Sequence, residues 1–163
     1  MRTRRALLAF VFITGLTAGT WAVEPEPQSS FELDRLQGRV TWLSDALSKR
    51  YGIKQVPEAA ERMLALETKD GQLHPLVEDV RGRAFRRDPR LRKVDVELYV
   101  RQYAGAPVIQ VIQVFELAKD GKYEIDYWCE ICSIAMFELK DCECCQGPIE
   151  LRRRKVVESQ KGS

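Results

Sequence analysis

All five cysteines of the 163-residue chain lie between positions 129 and 145, in the stretch WCEICSIAMFELKDCECCQG. Cys129 and Cys132 form one C-x-x-C pair, and Cys142 and Cys145 form another after nine intervening residues. A two-residue gap lets one tight turn offer both sulfurs to the same ion, with backbone N–H groups aimed at the thiolates. Two facing turns then complete a tetrahedral four-thiolate site with metal–sulfur distances of ~2.3 Å. Four thiolates without a histidine describe a closed structural site, for which zinc is the expected ion. Iron and Cu(I) are the alternatives, since soft thiolates accept both. Cys144 is a fifth thiol, a substitute ligand or a spare, and clustered extra thiols suit shared Cu(I).

Two other chemistries compete for these residues. An exported protein commonly oxidises its cysteines. Here an odd count leaves one over, and bonding within C-x-x-C or between the adjacent Cys144 and Cys145 is geometrically demanding. A reactive dithiol belongs at a helix N-terminus after a buried strand in a βαβ setting, and this chain predicts no such setting. The single histidine, His74, sits about fifty residues upstream beside Pro75 and reads as a strand residue. No Gly-rich phosphate loop, H-E-x-x-H or G-x-S-x-G is present. The sequence therefore favours a protein that is not an enzyme.

The N-terminus predicts export. Arg2, Arg4 and Arg5 precede residues 6–23, which carry no charge, and Thr20-Trp21-Ala22 supplies a cleavage site near Ala22. An uncleaved anchor is the alternative. The string TRRALL resembles a twin-arginine signal, a route that carries folded proteins with their cofactors loaded. Setting aside those three arginines leaves 23 basic against 24 acidic side chains, so net charge does not argue for nucleic acid. The expected organisation is a signal peptide over 1–22, a disordered spacer over 23–33, a β-domain over 34–118, a Cys-rich extension over 119–156 and a disordered tail over 157–163.

The elements that must position the cysteines are mostly strands. GRVTWL reads as a first strand, followed by a short helix, DALSKR, capped by Ser44. Pro57 opens another helical turn. MLALETK and QLHPLVE flank Asp70-Gly71, a hairpin signal, with Pro75 demanding a free edge or bulge. VDVELYVRQY alternates Val94, Val96, Leu98 and Val100 against polar partners, VIQVIQVFEL follows, and Asp120-Gly121 leads into KYEIDYW. PIELRRR predicts a closing strand. The order strand, insertion, strand, strand, irregular or helical link, strand, strand resembles an OB-fold over residues 36–117, a small five-stranded barrel. The fold class is therefore mainly β with short helices. The whole of 36–155 is similar to uncharacterised exported bacterial proteins that join such a β-domain to a C-terminal C-x-x-C…C-x-x-C tail resembling a zinc ribbon, although the nine-residue gap is shorter than the usual ribbon spacing. That resemblance implies no activity.

Residues 81–93 hold seven basic side chains and one acid. Arg81, Arg83, Arg86, Arg87, Arg90 and Arg92 could line an anion-binding face for an envelope partner, or be solvated and paired with local acids. Phe85 is the only aromatic residue in the segment, so a base-stacking platform is not indicated. The function expected from the sequence is an exported binding or structural module in the periplasm or cell envelope. Metal handling and thiol–disulfide exchange are the rival functions.

Overall fold

The structure, a computed structural model, describes residues 30–157. The predicted signal, most of the spacer and residues 158–163 lie outside the described residues. Eight antiparallel strands form one curled sheet in the order β3-β2-β1-β4-β5-β6-β7, with β8 on the other side of β6. The strands are β1 (Phe31–Trp42), β2 (Leu64–Thr68), β3 (Leu73–Pro75), β4 (Val96–Tyr103), β5 (Ile109–Ala118), β6 (Gly121–Cys129), β7 (Ile134–Met136) and β8 (Glu150–Lys155). Two short helices, α1 (Leu43–Tyr51) and α2 (Ala84–Arg87), and two 3-10 turns at Pro57–Ala59 and Pro89–Arg92 fill the links. Among the described residues no helix is long and apolar enough to cross a membrane.

The first five strands have the connectivity expected of an OB-fold-like half-barrel. β1 pairs with β2 through residues 38–42 and with β4 through residues 31–38. The ring is drawn together where Leu76, just past β3, forms a parallel bridge to Ile109 of β5, reinforced by the Val77 N–H to the Ile109 carbonyl at 2.9 Å. Alternation places Val40, Leu64, Leu66, Val96, Leu98 and Val100 inside, all fully buried. Phe85 of α2 and Leu91 close the core from the β3–β4 link. Pro75 lies in β3, the short terminal strand of the sheet, where its missing N–H is tolerated. In the hairpin at Asp70-Gly71, Gly71 has φ +85°, the left-handed geometry the turn requires.

Three local details differ from the sequence pattern. β1 begins at Phe31, inside the segment read as spacer, because its first residues are held by backbone pairing to β4 rather than by burial. Ser44 does not cap α1: the capping position is Trp42, and the Ser44 hydroxyl donates to the Ala60 carbonyl. β5 carries a bulge, with Tyr99 opposite Gln113 but Val100 opposite Val111, so Ile112 is the extra residue.

Gly38 marks the point where β1 exchanges β2 for β4, with Thr68 on one side and Val96 on the other. A Cβ there would run into the Glu67 carbonyl and come within 2.9 Å of the Thr68 Cα. Gly38→Ala is therefore expected to cost about 2–3 kcal/mol, read as a lower urea midpoint with an unchanged slope; an unaffected midpoint would show that the two strands can part there.

Candidate metal centre

β6 carries the chain from the half-barrel to the cysteines. Its first residues pair with β5 and its last with β7 on that same side, while β8 runs along the other side from Tyr123 to Trp128. Cys129 is its last residue. Two turns of the same construction follow. In the first, the Ser133 N–H donates to the Cys129 carbonyl at 2.8 Å; in the second, the Gln146 N–H donates to the Cys142 carbonyl at 2.9 Å. Ser133 and Gln146 have φ of +53° and +58°. The left-handed position of the second turn is thus Gln146, although Gly147 beside it is the residue with the freedom for such angles. Gly147 instead contributes its carbonyl to the Cys142 N–H at 2.8 Å. A Cβ at Gly147 would press within 3.2 Å of Ile131 Cδ1 and 3.4 Å of the Cys145 sulfur.

The turns bring Cys129, Cys132, Cys142 and Cys145 together, with all four sulfurs within 4.8 Å of one another. Cys129 Sγ and Cys145 Sγ are 3.5 Å apart. A tetrahedral site with ~2.3 Å metal–sulfur bonds has sulfur–sulfur edges of about 3.8 Å, so the spacing and the all-thiol donor set fit a metal ion such as zinc. A disulfide would need the sulfurs at about 2.05 Å; all five thiols are free. Cys129 and Cys142 are completely buried, Cys132 and Cys145 are partly buried, and Cys144 is exposed.

Each turn aims backbone donors at its first sulfur. Cys142 receives the N–H groups of Cys145 and Cys144, which bring its thiol down to about 7. Cys129 receives those of Cys132 and Ile131, but burial and the neighbouring Cys142 and Cys145 thiols outweigh them and push it up. Cys132 is pushed up further by thiol contacts with Cys144 and Cys145. Backbone donors thus favour the thiolate at Cys142, while Cys129 and Cys132 hold their protons more tightly. A divalent cation replaces those protons, so its affinity rises with pH.

The apolar support beneath these turns is thin. Ile131 is 73% exposed and Ile134 38%, leaving Met136, Ile149 and Tyr127 to join the two buried cysteines to the core. Polar anchors do the rest. Glu138, 2% exposed in the loop between β7 and Cys142, accepts from Arg83 Nη2 at 2.6 Å and Arg87 Nε at 3.2 Å. Asp88, also buried, accepts from the Tyr127 hydroxyl at 2.9 Å and from two nitrogens of Arg90. Arg152 of β8 clasps Asp126 with two nitrogens at 2.8 Å each and lies over the Trp128 ring.

The remaining arginines of the segment also turn inward. Arg86 pairs with Glu78 and donates to the Glu61 and Arg62 carbonyls at 2.6 and 3.0 Å. Arg92 donates to the Phe85 carbonyl, and both lie over Trp42. Arg81 lies over Phe137, its guanidinium carbon 3.5 Å from the ring centre. His74 sits in β3 opposite Leu66, remote from the thiols in sequence and strand order. Sequence reasoning missed Glu138, Asp88 and Tyr127. Their only sequence signal was an acid or hydroxyl on an otherwise buried face.

The Asp88 anchor gives a pH dependence. Burial opposes the Asp88 carboxylate, but the Arg90 side chain, the Arg90 N–H and Tyr127 together hold it below its ordinary value of 3.8. A depressed carboxylate stabilises the fold above its unfolded pKa, and that contribution is lost as pH falls through the folded value. Stability is therefore expected to hold above about pH 5 and to fall below about pH 4, with a shallower fall in Asp88→Asn; urea midpoints across pH 2–7 measure it. An equal acid slope in both proteins would place the titrating group elsewhere.

No protein-family model, curated protein or solved structure matches the chain. The site must be read from its own geometry: a β half-barrel with a four-cysteine cluster at the end of its sixth strand.

Proposed function

We propose that this chain is an exported, non-enzymatic binding or structural module of the cell envelope, whose C-terminal extension is fixed by one zinc ion on Cys129, Cys132, Cys142 and Cys145. The observation that carries the metal assignment is the pair of matching turns, each presenting two sulfurs with backbone N–H groups on the first. A closed thiolate set suits a structural ion, which offers no open position for substrate. The ion's contribution falls where it is needed, since the turns expose Ile131 and Ile134 and bury little of their own. Export rests on the charged and apolar pattern of residues 1–22, and an envelope partner on that location.

Exposed Cys144 favours a second reading. Its thiol contacts Cys132, which places a fifth sulfur beside the cluster, as a site that hands Zn or Cu(I) onward would need. Thiol–disulfide exchange has less support, because the most acidic thiol, Cys142, is wholly buried and cannot reach an outside disulfide.

Metal analysis with thiol counting on the native mature protein tests the proposal. The structural site gives about one zinc per chain and five titratable thiols after denaturation with a chelator. More than one readily exchanged ion supports metal handling. A metal-free protein with a single titratable thiol overturns both.

A further inference from the structure

Ten of the described arginines are paired with carboxylates, and Arg62 and Arg92 are spent on backbone carbonyls. Two half-buried arginines remain, Arg81 and Arg101, and both line the same cleft. This cleft has a volume of about 370 Å³ and is bounded by Asp79, Val80, Gln110, Ile112 and Phe137 as well. It opens where the sheet divides: β5 pairs with β6 only from Phe115 to Ala118, while the second half of β6 takes β7 instead. The Ile112 bulge lies on the stretch of β5 left without a neighbour on that side.

Most of the guanidinium donors in the cleft are unspent. Among the described residues the Arg81 side chain makes no hydrogen bond; its guanidinium is stacked on Phe137, which leaves its edge N–H groups open. Arg101 is stacked over Phe31 at 5.1 Å, makes one long bond from Nη1 to Gln110 Oε1 at 3.3 Å, and its buried Nε has no acceptor. The nearest acid does not satisfy them. Asp79 spends Oδ1 on the Arg81 and Gly82 N–H groups at 3.1 Å each and Oδ2 on Gln110 Nε2 at 2.8 Å. Glu124 and Asp126, which also face Arg81, are held by Arg154 and Arg152. A guanidinium edge matches a carboxylate in plane, with two parallel N–H donors. Val80, Val111, Ile112 and the Phe137 ring supply apolar walls beside it.

We propose that this cleft is a binding site for a small carboxylic acid with an apolar body, its carboxylate taken by Arg81 and Arg101 and its body laid against Phe137 and the β5 bulge. The site uses no cysteine, but Phe137 belongs to the loop between β7 and Cys142, so the cleft is complete only while that extension is folded.

The test is a titration of the full mature protein with phenylacetate and, separately, acetate and inorganic phosphate, following the arginine Nε–H resonances by NMR. Phenylacetate is expected to saturate and to shift two of those resonances, assigned through Arg81→Lys and Arg101→Lys. Acetate and phosphate should bind at least several-fold more weakly. Arg81→Gln and Arg101→Gln should each weaken phenylacetate about tenfold, the loss of one charged hydrogen-bond pair, with circular dichroism unchanged. The lysine variants, which keep the charge and lose the fork, should fall between. No saturable shift in the wild-type protein overturns the proposal, as does equal binding of all three anions or binding that survives both glutamine substitutions.

Discussion

Cys142→Ser and Cys129→Ser are each expected to abolish metal binding and to release residues 128–150 while the half-barrel strands stay paired. Both side chains are completely buried and both receive two backbone N–H groups. A serine hydroxyl in either place cannot supply a thiolate, and three sulfurs no longer close the site. Structural zinc contributes on the order of 10 kcal/mol in favourable peptides, comparable with the whole stability of a domain, about 5–15 kcal/mol. Little local apolar burial offsets that loss. β6 is held by β5 through residues 121–124 independently of the turns, so the release should stop near Tyr127. Hydrogen exchange measures this. The amides of residues 129–147 should lose protection by more than about a hundredfold, with those of β1 and β4 unchanged. Cys144→Ser is the control and should keep its ion. A Cys142→Ser protein that keeps its ion and its protection would remove that cysteine from the site.

The second large effect concerns Glu138. Arg83→Ala with Arg87→Ala leaves its 2%-exposed carboxylate without a counter-charge. Breaking a buried pair from one side costs about 3–5 kcal/mol. The lower end applies here, because both arginines are themselves about half exposed and water screens the pair. The cost is smaller on the other side of the pair. Glu138→Gln leaves two arginines free to hydrate and should cost less, and combining it with the double alanine variant should recover part of the loss. A cycle of urea midpoints gives these differences, and the ion should leave the double alanine variant faster under a chelator. A cost below about 0.5 kcal/mol would mean that the arginine segment does not secure the cysteine loop.

This pair also shows where sequence patterns end. Val96, Leu98 and Val100 announced an inward strand face because strand burial alternates locally. Asp70-Gly71 and Asp120-Gly121 announced turns because turn geometry belongs to a few adjacent residues. The two C-x-x-C pairs were visible for the same reason: each is one turn. Arg83 and Glu138 lie 55 positions apart and Asp88 and Tyr127 39 apart, so nothing in either segment names its partner. For the arginine segment a linear reading leaves both an anion-binding face and pairing with local acids open; Arg83, Arg86, Arg87 and Arg90 are paired with carboxylates of the same chain. The start of β1 was hidden differently. Phe31 and Leu33 are about half exposed and Glu32 and Asp34 are polar, so a strand start held mainly by backbone pairing to its neighbour carries no buried apolar signature. The Ile112 bulge and the division between β5 and β6 are equally silent, because they arise from how two pairings compete for one strand.

X-ray absorption at the metal edge of the native, metal-loaded protein tests the centre most directly. One zinc bonded to four sulfurs at ~2.3 Å is the expected result. A coordination shell containing nitrogen or oxygen, or native protein whose sulfurs are joined to one another with no metal bound, would contradict it.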